Sequence, residues 1–394
     1  MIKPAVIWTA SRAAVLSASA ASSFFIPHHD FSSDLLQYNS PISFLVRWDA
    51  IYFHNIAKYG YTSDNMTAFF PLYPMLIRAL SYFWIPTVLA GVLLSNFAFL
   101  LSSLILYRIT EKHFSQSHAT RACILFCFSP CSIIYSSLYT ESLFCLFIML
   151  SLESLLHTRG ASFLWLSLAS YVRSNGFILA PIAFMEGLAM GSYGLGIFMA
   201  LLPVLSFFSV QLFWLLTRFP YIKTLPYSYV QAVYWEQGFM EFYKHGKNIP
   251  NIIVGLPFVL LSCLVSWNYF IQERRLLQLA LTEGKEKVIS SRLNILMNRE
   301  RQKKETVKVK RASVMNVFFF ARLFLHFVLL FQIILSIFFI HMNMHFRFVS
   351  YNPVIYWELS EIFVKKGFWR VLLFGYVCFG LSYGVLYGAY FPPA

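Results

Sequence analysis

Long apolar runs separated by short polar stretches make up most of this chain. Runs of about 20 residues, the length at which a helix crosses the hydrocarbon core of a bilayer, are found at 5–26, 86–107, 251–271, 314–340 and 369–390. They are uninterrupted, whereas a strand of a membrane barrel alternates apolar and polar residues. Because a spanning segment must pair its own backbone groups, the pattern predicts an all-α protein that crosses the membrane several times.

The composition excludes a soluble domain. Hydrophobic residues make up 58% of the 394 residues and charged residues only 12%, with a mean hydropathy of +0.62. So few charges cannot cover a core of that size in water. Only Lys3 and Arg12 accompany the first apolar run, and no cleavage signal of small residues follows it, so we expect this run to remain as the first helix.

Shorter apolar segments predict further helices. Residues 122–157 fit a helical hairpin with its turn at "SPCSIIYSSLYTES", and residues 161–216 fit three short crossings around "RSNG" and "GSYG". Together with the long runs, they predict a single membrane domain over residues 1–394 with about 10 transmembrane helices.

The net charge of +14 is concentrated in one segment. Residues 272–313 carry twelve Lys or Arg against five Glu, which gives +7, half of the total. In a soluble protein such a run could bind nucleic acid, but between two spans it is typical of a loop retained in the cytoplasm. We therefore expect no nucleic-acid partner, and we assign the short basic segment 107–121 to the same side.

Counting crossings from this basic loop places residues 27–85, 217–250 and 341–368 on the opposite, extracytoplasmic face. The same count puts both termini in the cytoplasm. Residues 217–250 contain nine aromatic residues among 34, and these could form an aromatic belt at the level of the headgroups. A belt does not account for Asp49 or Gln231, so a site for a lipid-borne substrate is the competing interpretation.

The stretch 47–74, "RWDAIYFHNIAKYGYTSDNMTAFFPLYP", concentrates charged and aromatic residues. Transfer of a sugar from a lipid phosphate to a hydroxyl needs a base for the hydroxyl proton, and one ionised carboxylate such as Asp49 suffices. The departing lipid phosphate is an anion that the forked donors of an arginine can hold. The candidates for that role are Arg47, Arg173 and Arg347, with Lys58 a weaker one. No diphosphate has to be clamped, so a metal would be optional, and we expect no other cofactor.

Some of these residues also have structural interpretations. Arg47 and Asp49 could simply anchor a helix end at the interface, and Arg173 could form a structural ion pair. Glu141 lies at the outer turn of the predicted hairpin, where helix capping by Thr140 or Ser142 would explain it equally well. These alternatives stay open at the level of the sequence.

Metal and nucleotide sites are weakly supported. His341 and His345 are four residues apart, which would place two imidazoles on one helix face, but two ligands do not complete a metal site. Cys123, Cys127 and Cys131 also repeat every four residues, and we interpret them as helix packing because no histidine or carboxylate joins them. The chain contains no GxxxxGK[ST], no GxGxxG and no HExxH motif, so neither a nucleotide site nor a zinc protease is indicated.

Five stretches together carry a more specific signal. In chain order they are "RWDAIYFHNIAKYGY…AFFPLYP", "FSPCSIIYSSLYTESLF" (128–144), "RSNG" (173–176), "PYSYVQAVYW" (226–235) and "HMNMHFRFVSYNPVIYW" (341–357). In content and order they resemble the GPI mannosyltransferase 2 family, which adds the second mannose during assembly of glycosylphosphatidylinositol (GPI). The resemblance spans almost the whole chain.

This resemblance implies a GT-C glycosyltransferase fold in the endoplasmic reticulum membrane, with a lumenal active site and dolichyl-phosphate-mannose as the donor. The implied reaction adds mannose in α-1,6 linkage to the first mannose of the GPI precursor, with inversion at the transferred sugar. The implied partners are the two lipid-linked substrates, the membrane and a small accessory membrane subunit.

The family's RWD signature falls on Arg47, Trp48 and Asp49, and the resemblance makes Asp49 the base. Arg347 falls on a basic position that would contact the donor phosphate. The residues expected to bind substrate are Arg47, Trp48, Asp64, Arg173, Tyr229, Gln231, His341 and Arg347.

The chain departs from the family pattern in two places. Asp64 stands where relatives often have Glu, and the last lumenal loop is shorter, which puts the fit of the substrate in doubt more than the reaction. A sequon, Asn65-Met66-Thr67, lies inside the motif, and we expect it to stay unmodified so near the site.

Three rival functions remain: a lipid or solute transporter, a non-catalytic subunit of a membrane complex, and a neighbouring lumenal mannosyltransferase. A transporter needs polar residues at mid-span, whereas this chain is predicted to collect them at one face. A non-catalytic subunit is distinguished by whether the protein alone restores GPI mannosylation in cells that lack this step. A neighbouring mannosyltransferase is distinguished by which precursor accumulates when the protein is lost.

Overall fold

The computed structural model describes residues 3–27, 40–283, 306–365, 367–389 and 391, and these residues form helices joined by turns, with no strand among them. The α-helices are α1 (Pro4–Phe25), α2 (Asp49–Tyr59), α3 (Leu72–Ser81), α4 (Thr87–His113), α5 (Gln116–Cys127), α6 (Glu141–His157), α7 (Ser162–Val172), α8 (Ala180–Ala189), α9 (Tyr193–Thr217), α10 (Pro226–Trp235), α11 (Ile249–Glu283), α12 (Thr306–Phe338), α13 (His345–Val349), α14 (Pro353–Ile362) and α15 (Phe368–Gly388). Short 3₁₀ helices lie between them at Ser43–Leu45, Asp64–Ala68, Ile134–Ser136, Ser174–Leu179, Glu241–Lys244, Gly246–Asn248 and Met342–Met344. The predicted all-α fold is confirmed.

Five helical segments within the described residues are long and apolar enough to cross a bilayer. They are Thr87–His113, Tyr193–Thr217, Gly246–Arg274, Val317–Phe338 and Phe368–Gly388. Four of them contain or closely match predicted apolar runs. The first run folds as α1, but it is rich in serine and alanine and is not among these five.

The hairpin and the three segments predicted between 122 and 216 are present as helices. α5 and α6 flank the predicted hairpin turn, and α7, α8 and α9 fill residues 161–216. α9 has 25 residues and is long enough to cross a bilayer alone, whereas the sequence predicted a short segment there. The number of crossings stays a prediction.

Helix α1 holds the turn between α5 and α6 in place. Arg12, in the middle of α1, is 4% exposed. Its guanidinium donates hydrogen bonds to the carbonyls of Cys127 and Ser132, both at 2.9 Å, and to Ser136 Oγ at 2.7 Å. These bonds fix the segment that leads into Tyr139 and the start of α6.

Helix α4 connects two ends of the structure. Near its start, Ser95 Oγ donates to the carbonyl of Tyr139, whose hydroxyl donates to the carbonyl of Arg47. At about 1.5 Å per residue, the basic segment 107–121 lies far from this point. We call the end that carries Arg47 and Tyr139 the site end, and the end that carries residues 107–121 the opposite end.

Helix α14 reaches the opposite end. Trp357 Nε1 donates to Thr110 Oγ1 at 2.8 Å, and the carbonyl of Trp357 accepts from His118 at 2.9 Å. The sequence placed residues 341–368 and 107–121 on opposite faces, but in the structure α14 contacts 107–121 directly. Only the first part of 341–368 therefore stays at the site end.

Hydropathy could not identify this helix. α14 has ten residues, including Glu358 and Ser360, which are both buried. Glu358 pairs with Arg322 of α12. This segment is shorter and more polar than the roughly 20 apolar residues from which a membrane span is predicted. Its place inside the bundle is visible only from the burial of its residues in the structure.

Helix α15 returns to the site end beside α1. A Cβ on Gly388 would lie 2.1 Å from the carbonyl oxygen of Ser19, so the two backbones are in close contact. Further on, the carbonyl of Phe391 accepts a hydrogen bond from Trp48 Nε1 at 3.1 Å. Residue 391 and Asp49 thus lie at the same end, which conflicts with a lumenal site combined with two cytoplasmic termini.

The predicted cytoplasmic loop 272–313 is described only in part. α11 continues to Glu283 and α12 begins at Thr306, and residues 284–305 lie outside the described residues. α11 starts at the site end, where Gly255 packs against the backbone of Met342. Further along α11, Gln272 donates to Glu361 at the end of α14, so the helix leads toward the opposite end.

A small apolar cluster joins the loop after α2 to α9 and α10, next to the main core. Its buried members are Phe70, Phe207, Val210, Trp214, Phe219 and Val230. Phe70 from this cluster and Phe53 from the main core both line one cavity. The candidate site lies there, where the two apolar regions meet.

Candidate active site

A cavity of about 180 Å³ opens at the site end of the helices. Its apolar wall includes Phe53, Phe69 and Phe348. Its polar lining includes Asp49, Arg173, Asn175, Gln231, Gln237 and Arg347. A pocket with aromatic walls and a few convergent polar groups is the usual form of a small-molecule site.

Four charged side chains from four parts of the chain meet beside this cavity. Arg347 Nη2 lies 3.1 Å from Asp49 Oδ2 and 2.8 Å from Glu141 Oε1. Arg347 Nε donates to the same Glu141 oxygen at 3.0 Å. Arg173 Nη1 completes the group at 2.8 Å from Glu141 Oε1. We call Asp49, Glu141, Arg173 and Arg347 the charge cluster.

Burial separates the two carboxylates of the charge cluster. The Glu141 side chain is 2% exposed, whereas the Asp49 side chain is 32% exposed. Burial favours the neutral form of Glu141, but Arg173 and Arg347 outweigh it and lower the pKa of Glu141 to about 2. Glu141 therefore stays ionised at neutral pH as an internal anchor, and Asp49 is the cluster carboxylate that a substrate can reach.

The backbone before Asp49 is strained. Trp48 has φ 53° and ψ −119°, a left-handed conformation that L-residues other than glycine rarely adopt. Its indole is held by Phe391, and the carbonyl of Arg47 is held by the Tyr139 hydroxyl at 2.9 Å. Such strain persists only where the surroundings impose it, and it is often found at functional sites.

Asp49 and Glu141 occupy equivalent positions in their helices. Each is the first residue of its helix, α2 and α6 respectively. The partial positive charge at a helix N-terminus stabilises a carboxylate there. For Glu141 this local effect adds to the two guanidinium groups that keep it in its charged form.

Arg173 reaches the cluster because α7 ends immediately before it. α7 ends at Val172, and Arg173 is extended, with φ −147° and ψ 146°. The following turn presses against α7, since a Cβ on Gly176 would lie 2.5 Å from the backbone nitrogen of Ser170. Arg173 Nη1 also donates to Thr140 Oγ1 at 3.0 Å.

Four of the predicted site residues line the cavity: Asp49, Arg173, Gln231 and Arg347. Arg47 and Trp48 lie directly behind Asp49. The Arg47 residue is 2% exposed, and its guanidinium donates to the carbonyl of Gly388 at 3.4 Å.

The other predicted substrate-binding residues are not part of the cavity lining. Asp64 pairs with Arg218 at 3.3 Å, and the Tyr229 ring packs against Phe219 with centroids 5.6 Å apart. His341 donates a ring N–H to the carbonyl of Trp235 at 3.1 Å, next to the cavity.

The prediction that His341 and His345 share a helix face is wrong. The 3₁₀ helix Met342–Met344 separates them, and His345 begins α13. His345 hydrogen-bonds Ser262 and Ser336 at 2.9 and 2.8 Å. The two imidazoles therefore have separate partners and do not point to a common ligand.

The cysteines follow their predicted packing role. Cys123 and Cys127 are fully buried in α5, and Cys131 is 1% exposed. Cys131 lies beyond the end of α5, so the helical register predicted from the spacing covers only the first two.

The structure adds two residues to the predicted site. Glu141 does not serve as part of a helix cap, because Thr140 makes no capping side-chain bond. Instead it joins Arg173 to Arg347, which lies 206 residues away in sequence. Asn175, within the quoted "RSNG", also lines the cavity. In the sequence, the feature that could have identified Glu141 as a site residue is its charge within a predicted apolar hairpin.

Comparison with known proteins identifies similar sequences. The family model described as Mannosyltransferase (PIG-V) matches residues 5–219 and 209–373. All four residues of the charge cluster lie within the matched ranges.

Among curated proteins, GPI mannosyltransferase 2 of Schizosaccharomyces pombe is 28% identical over 385 residues, covering 89% of this chain and 73% of that protein. GPI mannosyltransferase 2 of Drosophila pseudoobscura pseudoobscura is 28% identical over 300 residues, covering 60% and 65%. The human GPI alpha-1,6-mannosyltransferase 2 is 26% identical over 288 residues, 57% of each chain. The chain thus spans less than two thirds of the length of these two animal proteins.

Proposed function

Because the chain belongs to the PIG-V mannosyltransferase family, a family of GT-C membrane glycosyltransferases, we propose that it adds the second mannose to a GPI precursor. The proposed donor is dolichyl-phosphate-mannose, and the acceptor is the first mannose of the precursor, linked α-1,6. The proposed location is the endoplasmic reticulum membrane with the site end facing the lumen. The names of the relatives support the reaction, and the all-α fold with five apolar helices supports the membrane setting.

The observation that carries the proposal is the accessible carboxylate of Asp49 at the cavity, held 3.1 Å from Arg347. In the proposed step, Asp49 takes the proton of the acceptor hydroxyl while the hydroxyl oxygen bonds to the anomeric carbon of the donor mannose. The bond between that carbon and the phosphate oxygen breaks, and dolichyl phosphate leaves with the electron pair. One displacement at this carbon inverts its configuration.

The charges of the cluster suit this step. Two arginines and two carboxylates sum to zero before the reaction. When Asp49 accepts the proton, the cluster becomes positive by one, at the moment when the leaving phosphate gains negative charge. Arg173 and Arg347 both line the cavity, so their guanidinium groups can meet this charge without reorganisation.

The test is Asp49→Asn in microsomes. We expect a loss of mannose transfer of about 10²- to 10⁴-fold, the range for removal of a general base, with normal protein level and membrane insertion. Glu111→Gln is the matched control, because Glu111 is an exposed carboxylate in the last turn of α4, and we expect full transfer from it. Full transfer by Asp49→Asn would exclude Asp49 as the base.

A second measurement identifies the reaction. Cells that lack the protein should accumulate the GPI precursor that carries one mannose, and the chain should restore its conversion. Accumulation of a different precursor would assign the protein to another mannosyltransferase step.

A further inference from the structure

Asn175 is buried at the cavity with no partner for its side chain. The residue is 5% exposed and lines the cavity. Neither its amide nitrogen nor its amide oxygen has a hydrogen-bond partner among the residues that the structure describes. A buried amide normally has both atoms paired, because the lost hydration is otherwise not replaced.

Another buried asparagine shows the usual arrangement. Asn352 is 0% exposed. Its amide nitrogen donates to the carbonyl of Leu325 at 2.9 Å, and its amide oxygen accepts from the backbone nitrogen of Val354 at 3.3 Å. Asn175 has the same side chain and comparable burial, but it lines the cavity and its amide has neither of these two kinds of partner.

The backbone fixes the direction of the Asn175 side chain. Asn175 lies in the 3₁₀ helix Ser174–Leu179, whose Gly176 leaves no room for a Cβ against α7. The amide nitrogen of Gly176 donates to the carbonyl of Arg173 at 3.1 Å. The turn therefore presents Asn175 and Arg173 together at one wall of the cavity.

The chemistry of the amide selects among ligands. A carboxamide offers one donor group and one acceptor side by side. A phosphate ester at neutral pH only accepts hydrogen bonds, so it would leave the Asn175 oxygen unpaired. Two adjacent hydroxyls of a sugar ring can accept from the nitrogen and donate to the oxygen at the same time.

We propose that Asn175 binds two adjacent hydroxyls of a mannose ring in the cavity and so positions that sugar for transfer. This rests on the proposed function. The ring belongs either to the donor or to the acceptor, which carry the same hydroxyl chemistry, and the two sources are separated by the test.

The test replaces the amide by an apolar group of similar shape. Asn175→Leu in the full-length protein, purified in detergent, is compared with Asn352→Leu. For each we measure the thermal unfolding midpoint without substrate, and KM separately for dolichyl-phosphate-mannose and for the singly mannosylated GPI precursor. Asn175→Ala is a second variant in case leucine does not fit.

We expect the two leucine variants to differ in both readouts. Asn175→Leu should keep or raise the unfolding midpoint, since it removes an unpaired buried amide, and should raise KM about 10-fold or more for one substrate. The substrate whose KM rises is the one whose sugar Asn175 binds. Asn352→Leu should lower the midpoint and leave both KM values near those of the unsubstituted protein.

Two results would overturn the inference. Unchanged KM for both substrates in an active Asn175 variant means that the amide binds neither sugar. A lowered midpoint in both Asn175 variants, like that of Asn352→Leu, means that the amide has a structural partner. If the unsubstituted protein itself transfers no mannose, the proposed function fails instead, and the two failures are distinguishable.

Discussion

Glu141 is the residue on which the charge cluster depends. It contacts both arginines, is nearly fully buried and stays ionised. Removing one partner of a buried ion pair leaves the other charge uncompensated and costs about 3 to 5 kcal/mol. We expect Glu141→Gln to lower the unfolding midpoint by several degrees and to reduce mannose transfer, because Arg347 and Arg173 lose the anchor that aims them at the cavity.

Glu153→Gln is the matched control for this prediction. Glu153 pairs with Arg108 at 3.0 Å and with Arg159 at 3.7 Å, but both arginines are more than half exposed. Exposed partners make a pair worth about 1 kcal/mol or less. Thermal unfolding in detergent and transfer assays compare the two variants, and equal losses would show that Glu141 has no special role.

The sequence predicted part of the site for a physical reason. Charged residues are few in this chain, so Asp49, Arg173 and Arg347 stood out against their apolar surroundings. The partner of Arg347 could not be predicted, because Glu141 is brought to it only by packing of α6 against the rest of the bundle. Asp64 also stood out as a charge, yet it pairs with Arg218 away from the cavity lining.

At the scale of elements, the turn after α7 is the most constrained part of the site. A Cβ on Gly176 would lie 2.5 Å from the Ser170 nitrogen and 2.7 Å from the Ala169 carbonyl carbon. Backbone atoms cannot yield as a flexible side chain can, so the turn must move. We expect Gly176→Ala to cost about 1 to 3 kcal/mol and to reduce transfer by shifting Arg173 away from the charge cluster.

Gly194→Ala serves as the control for the turn. Gly194 lies in α9, is exposed, and has no atom within 4 Å of a Cβ built on it. Alanine is the better helix former by up to about 1 kcal/mol, so this variant should be neutral or slightly more stable. Both are measured by thermal unfolding and transfer, and a Gly176→Ala protein that matches Gly194→Ala in both would show that the turn tolerates a side chain.

Prediction of the elements succeeded for four of the five long apolar helices, and the fifth, α9, was predicted only as a short segment. α4, α11, α12 and α15 were all read from hydropathy alone. α14 was not, because its ten residues include a buried glutamate whose charge is met by Arg322 of α12. A polar segment inside a membrane bundle looks like a loop in the sequence when its partner comes from another helix.

At the scale of the whole molecule, α14 changes the expected topology. It follows α13, which carries Arg347 at the site end, and brings Trp357 to the opposite end, and α15 then returns to the site end. Because α14 adds a crossing that the sequence did not predict, residue 391 lies on the opposite side from the one obtained by counting the predicted crossings. We infer that residue 391 lies on the lumenal face with Asp49, and we keep the sequence-based expectation that the basic segment 272–313 faces the cytoplasm.

Epitope tags test this inference. One tag is inserted after Asn294 and another, in a separate protein, is added after Ala394, and each protein must first restore mannose transfer. Antibody access is then compared after digitonin, which opens only the plasma membrane, and after full solubilisation. We expect the tag at 294 to be stained in both conditions and the tag after 394 only in the second. Staining of the C-terminal tag after digitonin would contradict the inferred lumenal position of residue 391.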